Sequence, residues 1–245
     1  MAELTFESHA VFTHTSFDLS SATSNRLPHL KVANLAKGDN AIILDCGCGE
    51  GQDSVVMAAM GNWVIGVDLS LRGTKTALNI RNLHSLDLDF VNCDLELLPF
   101  RESSIDICTS FWALHHFRTL RTAARQMHKV LKGGGRIVIL DPNGLNPVFR
   151  LSEKIENPLR FWLVKSGVDT PNEYLHDGRT YVSALLSCGF RNAQVREWFG
   201  GGKPPIGGSK LLTLLTNLRF LLFLLVWRLL PRNYKGTDLI IEAFK

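Results

Sequence analysis

Cysteine is scarce in this chain and odd in number. Cys46, Cys48, Cys93, Cys108 and Cys188 are five residues in 245. Four of them lie in or beside apolar, strand-like segments. They read as small buried hydrophobes of a reducing compartment, not as a disulfide framework. Cys46-x-Cys48 has no second Cys or His pair at zinc spacing, so no metal site is expected. A large excess of one charge is also missing. Lys and Arg number 27 and Asp and Glu 23, a formal net charge of +4. That is too mild for a nucleic-acid binder, and no basic stripe crosses the middle of the chain. Met1-Ala2-Glu3-Leu4 lacks the basic and long apolar regions of a signal peptide, so a cytoplasmic location is the expectation. With 45% hydrophobic and 20% charged residues, one globular domain with a sizeable core and an apolar bias is expected.

What the chain does have is a glycine loop in a telling context. Ala41-Ile42-Ile43-Leu44 reads as a buried strand. Asp45-Cys46-Gly47-Cys48-Gly49-Glu50-Gly51 follows it, then an apolar helix-compatible run from Ser54 to Met60. A second strand, Trp63 to Val67, ends in Asp68. Glycines at alternate positions between a strand and a helix let the backbone turn sharply and approach a ligand. An acid at the end of the next strand is placed to accept hydrogen bonds from a ribose diol. The spacing is G-x-G-x-G and not the G-x-G-x-x-G that cradles a dinucleotide pyrophosphate. Asp45 and Glu50 bracket the loop and would repel a pyrophosphate. They suit a ligand that carries an ammonium and a sulfonium.

Five further segments follow in order. They are Asn92-Cys93-Asp94-Leu95-Glu96-Leu97-Leu98-Pro99-Phe100, the strand-like Ile105 to Ser110, the loop Phe111-Trp112-Ala113-Leu114-His115-His116-Phe117, the turn Val130 to Arg136 before the strand Ile137 to Leu140, and Ser187-Cys188-Gly189-Phe190. With the glycine loop and Asp68, these resemble the motifs of the class I S-adenosylmethionine-dependent methyltransferases. The resemblance runs from about Ala41 to Leu140 and resumes near Tyr181. It implies a doubly wound, Rossmann-like α/β fold with a seven-stranded, mostly parallel sheet, an antiparallel last strand and helices on both faces. It implies S-adenosylmethionine as cofactor and S-adenosylhomocysteine as product. The implied cofactor-binding residues are Asp45, Gly47, Gly49 and Gly51 in the loop, Asp68 and Leu69 after the second strand, and Asp94 and Leu95 at adenine. Phe111 and Trp112 are expected at the methionine and sulfonium end, where an aromatic face tolerates a cation.

Around this centre the chain divides into a helical cap over residues 1–40, with a short helix at Leu30 to Ala36, and a cover over residues 142–180. A third insertion, residues 203–232, lies between a sixth strand, Gln194 to Phe199, and a seventh, Asp238 to Phe244. In the stretch 211–230, fifteen of twenty residues are apolar, and from Lys203 to Lys235 there are six basic residues and no acidic one. Arg219 and Arg228, and the return of the seventh strand to the sheet, argue against a membrane span. Two readings stay open: a lid over the substrate cleft, or an interfacial helix that contacts an anionic membrane surface. Both point to a hydrophobic small-molecule acceptor of lipid, quinone or polyketide type, and no nucleic acid. An Asn/Asp-Pro-Pro-aromatic motif, frequent in enzymes that methylate nucleic-acid bases, is replaced by Ser110-Phe111-Trp112-Ala113. His115 and His116 are the candidate catalytic bases if the acceptor must lose a proton. A helix-capping or packing role remains the alternative for each. Asp141 and Asn143 are acceptor-site candidates with turn stabilisation as the alternative. Oligomeric state is not legible.

Overall fold

The computed structural model describes residues 19–35, 40–84, 86–147, 150, 173–198 and 236–245. The first helix, α1 (Leu19–Val32), precedes β1 (Ile42–Cys46), α2 (Gln52–Ala59), β2 (Trp63–Asp68), α3 (Leu71–His84) and β3 (Leu88–Asn92). Next come β4 (Ile105–Phe111), a single 3₁₀ turn (Leu114–His116), α4 (Leu120–Val130) and β5 (Leu131–Pro142). The described part closes with α5 (Gly178–Ser187), β6 (Arg191–Trp198) and β7 (Asp238–Phe244).

The seven strands form one sheet in the order β3-β2-β1-β4-β5-β7-β6. The pairs β1–β2, β2–β3, β1–β4 and β4–β5 are parallel, and β7 runs antiparallel to both β5 and β6. The strand order reverses between β1 and β4, which puts the ligand crevice at the carboxyl ends of those two strands.

Side chains alternate across the strands and feed two cores. Ile137 and Ile139 of β5, with Leu239 and Ile241 of β7, face Leu120, Met127 and Val130 of α4 and Tyr181 and Leu185 of α5. Val138, Leu140 and Ile240 point the other way, toward Leu30, Val55, Val56 and Met57 of α1 and α2. That alternation, with helices on both faces, is why these strands read as near-continuous apolar runs. On α4, Leu120, Ala123, Ala124, Met127 and Val130 are buried, a helical apolar stripe against the sheet.

Several boundaries differ from the sequence reading: β1 runs on to Cys46, β4 to Phe111, and β6, expected from Gln194, begins at Arg191. The helix expected at Leu30 to Ala36 begins at Leu19 and stops at Val32. Asn34 adopts a left-handed φ of 55°, and Leu35 N–H returns to Leu30 O at 2.8 Å while Asn34 N–H bonds Lys31 O at 3.0 Å. This is a Schellman closure, sealed by the buried Leu30 and Leu35. The segment Asn92 to Phe100, which the resemblance places with the third strand, is loop beyond Asn92, so Asp94 and Leu95 follow the strand. The fifth strand starts at Leu131, within the expected turn, because Leu131 pairs with Ile105 ahead of a register shift. The bounds of β7 coincide with those expected. Most of the 142–180 cover and all of the 203–232 insertion, including 211–230, lie outside the described residues. No described helix is long and apolar enough to cross a membrane.

Gly66, in mid-β2, has no room for a side chain. A Cβ there would stand 2.5 Å from the Phe90 ring and 2.9 Å from Cys48 Sγ. Gly66→Ala is expected to cost about 1–3 kcal/mol as overpacking, read as a lowered urea midpoint at unchanged slope.

Candidate active site

The loop from β1 to α2 is held by close packing. A Cβ on Gly47 would lie 2.3 Å from Ala113 Cβ, and one on Gly51 would lie 2.5 Å from the Phe90 ring and 2.9 Å from Ala77 Cβ. Both glycines have a φ of 77°. Gly49, with a φ of 53°, differs: a Cβ there meets nothing within 4 Å. Gly47 and Gly51 are therefore fixed by the fold, while Gly49 opens onto free space. Gly73, which the sequence reading missed, lets α3 approach the loop; a Cβ on it would stand 2.7 Å from Gly49 O.

Asp68 at the end of β2 lies beside that space. Its Oδ2 accepts from Gly49 N–H and its Oδ1 from Ser70 N–H, each at 2.8 Å. These two bonds spread the carboxylate flat between the loop and the start of α3. Asn92, also missed, donates to Asp68 O at 2.9 Å and to Leu69 O at 2.8 Å. The Leu69 side chain is 55% exposed and Leu95 is buried. Asp94 accepts from Glu96 N–H at 2.8 Å, an Asx turn that fixes the loop after β3.

Asp45, expected at a ligand ammonium, sits inside the protein at 2% exposure. Its Oδ2 accepts from Ser54 Oγ at 2.5 Å and its Oδ1 from Thr109 Oγ1 at 2.9 Å. Burial, then the charge of Asp53, push its carboxyl up to about 7, against the two hydroxyl bonds. Asp53 in turn ties α1 to the first turn of α2. His29 Nε2 lies 2.7 Å from Asp53 Oδ1, Arg26 Nη1 lies 3.4 Å from Asp53 Oδ2, and Arg26 also bonds Gln52.

The exit of β4 gathers the remaining groups. Phe111 is buried, its ring edge-on to His29 at 5.4 Å. Trp112 has a left-handed φ of 50°, a strained state for an aromatic residue. Its ring meets His29 at 5.1 Å, and its Nε1–H donates to Asp238 Oδ1 at 2.9 Å. The 3₁₀ turn then presents His115, whose Nδ1 lies 2.6 Å from Asp141 Oδ1. Tyr181 OH donates to Asp141 Oδ2, also at 2.6 Å. Asp141 is wholly buried, and the His116 ring lies 4.1 Å from that of His115. The turn is clasped from beyond: Tyr174 N–H donates to His115 O at 2.7 Å and His176 Nε2–H to Phe117 O at 2.8 Å. Asn143 donates to Gly236 O and accepts from Leu145 N–H, so it serves the turn.

Known proteins share this arrangement. A family model described as a methyltransferase domain matches residues 44–139. A demethylmenaquinone methyltransferase of Clavibacter sepedonicus is 31% identical over 172 residues, covering 65% of this chain and 69% of that one. The chain belongs to the class I S-adenosylmethionine-dependent methyltransferases. A malonyl-[acyl-carrier protein] O-methyltransferase of Erwinia pyrifoliae is 36% identical over 104 residues, 42% of this chain and 38% of that one. Matches to the first three curated relatives span only between 37% and 40% of those relatives' length. A solved S-adenosylmethionine-dependent methyltransferase from Mesorhizobium loti superposes with a TM-score of 0.63 at 20% identity, over 93% of this chain and 100% of that one. At that identity the likeness speaks for the fold alone.

The geometry suits this methyltransferase family's cofactor. The open side of Gly49, with the Asp68 carboxylate bonded to its N–H, is a cradle a side chain would fill. The Asp68 carboxylate at this open face favours a cationic ligand over a phosphate.

The raised Asp45 carboxyl carries a stability signature. It titrates near 3.8 when unfolded and about 7 when folded. Its contribution is therefore full below about 4 and lost as pH rises through about 7. The whole gap is worth at most about 4 kcal/mol. Asp45→Asn keeps partners for both hydroxyls and has no charge to lose. It is expected to melt above the parent at pH 8, by about 2–4 °C per kcal/mol recovered, with a smaller gap at pH 4.5. Melting curves at the two pH values check this.

Proposed function

We propose that this chain transfers the methyl group of S-adenosylmethionine to a small apolar acceptor by in-line displacement, releasing S-adenosylhomocysteine. The observation that carries this reading is the pairing of Asp68 with the open face of Gly49, at the switch point of a sheet belonging to this family. In the proposed complex Asp68 takes the ribose hydroxyls, and Leu69, Asp94 and Leu95 hold adenine. The backbone of Gly47, Gly49 and Gly51 approaches the methionine part. Asp45 lies behind the loop and supplies a negative field toward the ammonium. Trp112, held by Asp238, stands toward the sulfonium end, with Phe111 packed behind it against His29.

Bound cofactor supplies a methyl on a positive sulfur, an electrophile with a good leaving group. What the chain must add is alignment of the acceptor and exclusion of water. The apolar character of the acceptor is supported by the composition of 211–230 and by the quinone-type substrate in the name of the Clavibacter sepedonicus relative. In this reading 211–230 walls the acceptor site, and its basic flanks meet an anionic membrane surface.

Equilibrium binding of tritiated S-adenosylmethionine, with NAD as the competing probe, tests the cofactor. Micromolar affinity for the former, on the order of −8 kcal/mol, is the expected result. Tighter binding of NAD would turn the reading into a nicotinamide enzyme. Binding of S-adenosylmethionine with no acceptor methylated from a lipid extract would leave a non-catalytic binder. Asp68→Ala should lose roughly 1.5–3 kcal/mol of affinity in a protein that still folds.

The acceptor wall has its own test. Leu222→Glu or Leu225→Glu should impair methylation of a quinone-type acceptor more than cofactor binding. The parent should also co-sediment with anionic vesicles at low salt. Absence of vesicle binding together with a preference for small polar acceptors would remove the apolar-acceptor proposal.

A further inference from the structure

Resting on the methyl-transfer reading, we infer that His115 is the base of the reaction, positioned by Asp141 and Tyr181. We infer too that the methylated atom is an oxygen or carbon that gives up a proton as it reacts.

The argument starts from Asp141. A carboxylate at 0% exposure is costly unless its oxygens are satisfied. Here each oxygen has one strong donor, His115 Nδ1–H on Oδ1 and Tyr181 OH on Oδ2. An ionised carboxylate only accepts, so the His115 proton is fixed on Nδ1 and the lone pair of the neutral ring on Nε2. Tyr181 cannot take the opposite role. Burial first, then the Asp141 charge, push its phenol far above the ordinary range, and it stays a donor.

The Nε2 atom has no hydrogen-bond partner among the described residues, and the His115 side chain keeps 12% exposure. His115 stands on the turn that follows β4, at the sheet edge where the glycine loop also lies, one strand from β1. The bond that holds it comes from the end of β5, the neighbouring strand.

Among the described residues, the charges facing the ring come from several elements. Asp141 lies on β5, Glu173 on the segment before α5, Asp238 on β7 and His116 on the same turn. Burial pulls the His115 ring down, but the Asp141 bond and the charges of Asp141, Glu173 and Asp238 outweigh it and leave it raised. A base held above its ordinary value is a stronger proton acceptor in its neutral form.

The step balances without another reagent. Nε2 takes the proton from the acceptor O–H or acidic C–H. The electron pair left on that atom forms the new bond to the methyl carbon, and the old S–CH₃ pair stays on sulfur. Nε2 passes the proton to water afterwards, with Asp141 beside the transient imidazolium. A carboxylate or a neutral amine already has its attacking pair free and needs no such base.

Two kinds of experiment test this on the full chain. Selective ¹⁵N-histidine NMR reads the tautomer with no acceptor present. The expected result is His115 protonated on Nδ1, and an Nε2–H tautomer would overturn the proposal. Turnover with tritiated-methyl S-adenosylmethionine is then followed against pH with an alkyl catechol and a long-chain fatty acid as probes. His115→Ala should lose about 10²–10⁴-fold in kcat on the catechol, with cofactor affinity unchanged. Asp141→Asn removes the charge that supports the ring, so the acid limb of the profile should move to lower pH and the plateau should fall. Tyr181→Phe leaves the Asp141 charge less neutralised, so the limb should move to higher pH. Limbs that stay in place in both folded variants, or preferred methylation of the fatty acid, would overturn the inference. Loss of cofactor binding by the parent would instead overturn the methyl-transfer reading. If neither probe is methylated, the tautomer and its response to Asp141→Asn decide the matter.

Discussion

At Gly47 and Gly51 the backbone of the β1–α2 turn lies closer to its neighbours than a side chain would permit, and the site depends on that. Ala113 presses on Gly47, Phe90 and Ala77 press on Gly51, and Gly73 lets α3 touch the Gly49 carbonyl. Three separate elements are thereby drawn to one point at the carboxyl edge of the sheet. Asp68 can reach the Gly49 N–H only because the turn is this tight, and Thr109 can reach Asp45 only because β4 lies directly beside β1. A single methyl group added at Gly47 or Gly51 would push the loop away from β4 or β3 and spoil the alignment of every group around it.

The sheet was legible in the sequence because its information is local. Buried strands write themselves as short apolar runs, and Asp238 to Phe244 follows a run of polar turn residues. The glycine loop was legible because G-x-G-x-G after a strand has few other uses. Side-chain bonds between distant segments were not. Nothing near His29 announces that its ring will meet Asp53, 24 residues on, or that Tyr181 will meet Asp141, 40 residues back. Trp112 and Asp238 are 126 positions apart. Such contacts follow from tertiary packing, to which periodicity is blind. The extent of α1 was missed for a related reason. Its stop is a left-handed Asn34 sealed by Leu30 and Leu35, and that pattern is meaningful only when both leucines are known to be buried.

Acidic groups define the character of the edge. Asp45 and Asp68 flank the glycine loop, while Asp141 and Asp238 lie two and three strands away at β5 and β7. They are stabilised in different ways. Asp68 accepts backbone N–H groups, Asp45 accepts hydroxyls, Asp141 accepts from a phenol and an imidazole, and Asp238 accepts from Thr237 and an indole. The two that face mainly neutral donors while deeply buried, Asp45 and Asp238, have their carboxyls raised, with burial as the leading cause. Burial thus works against the negative charge of both, and a nearby cation favours the charged form.

That balance bears on turnover in the proposed reaction. S-adenosylmethionine arrives with a positive sulfur and S-adenosylhomocysteine leaves without it. Fixed carboxylates attract the first more than the second, so the same field that gathers the cofactor lets the product go. The attraction costs no reorganisation, because each acid is already anchored by its donors before anything binds. The aromatic groups complete the arrangement. Trp112 is kept in a strained left-handed conformation by the Asp238 bond and by His29 beneath its ring. In the proposed complex it offers a cation-tolerant face where an unheld side chain would relax away. Strain at Trp112 and crowding at Gly47 and Gly51 thus have a common physical purpose: both hold polar and aromatic groups at the sheet edge in positions that they would not occupy in isolation.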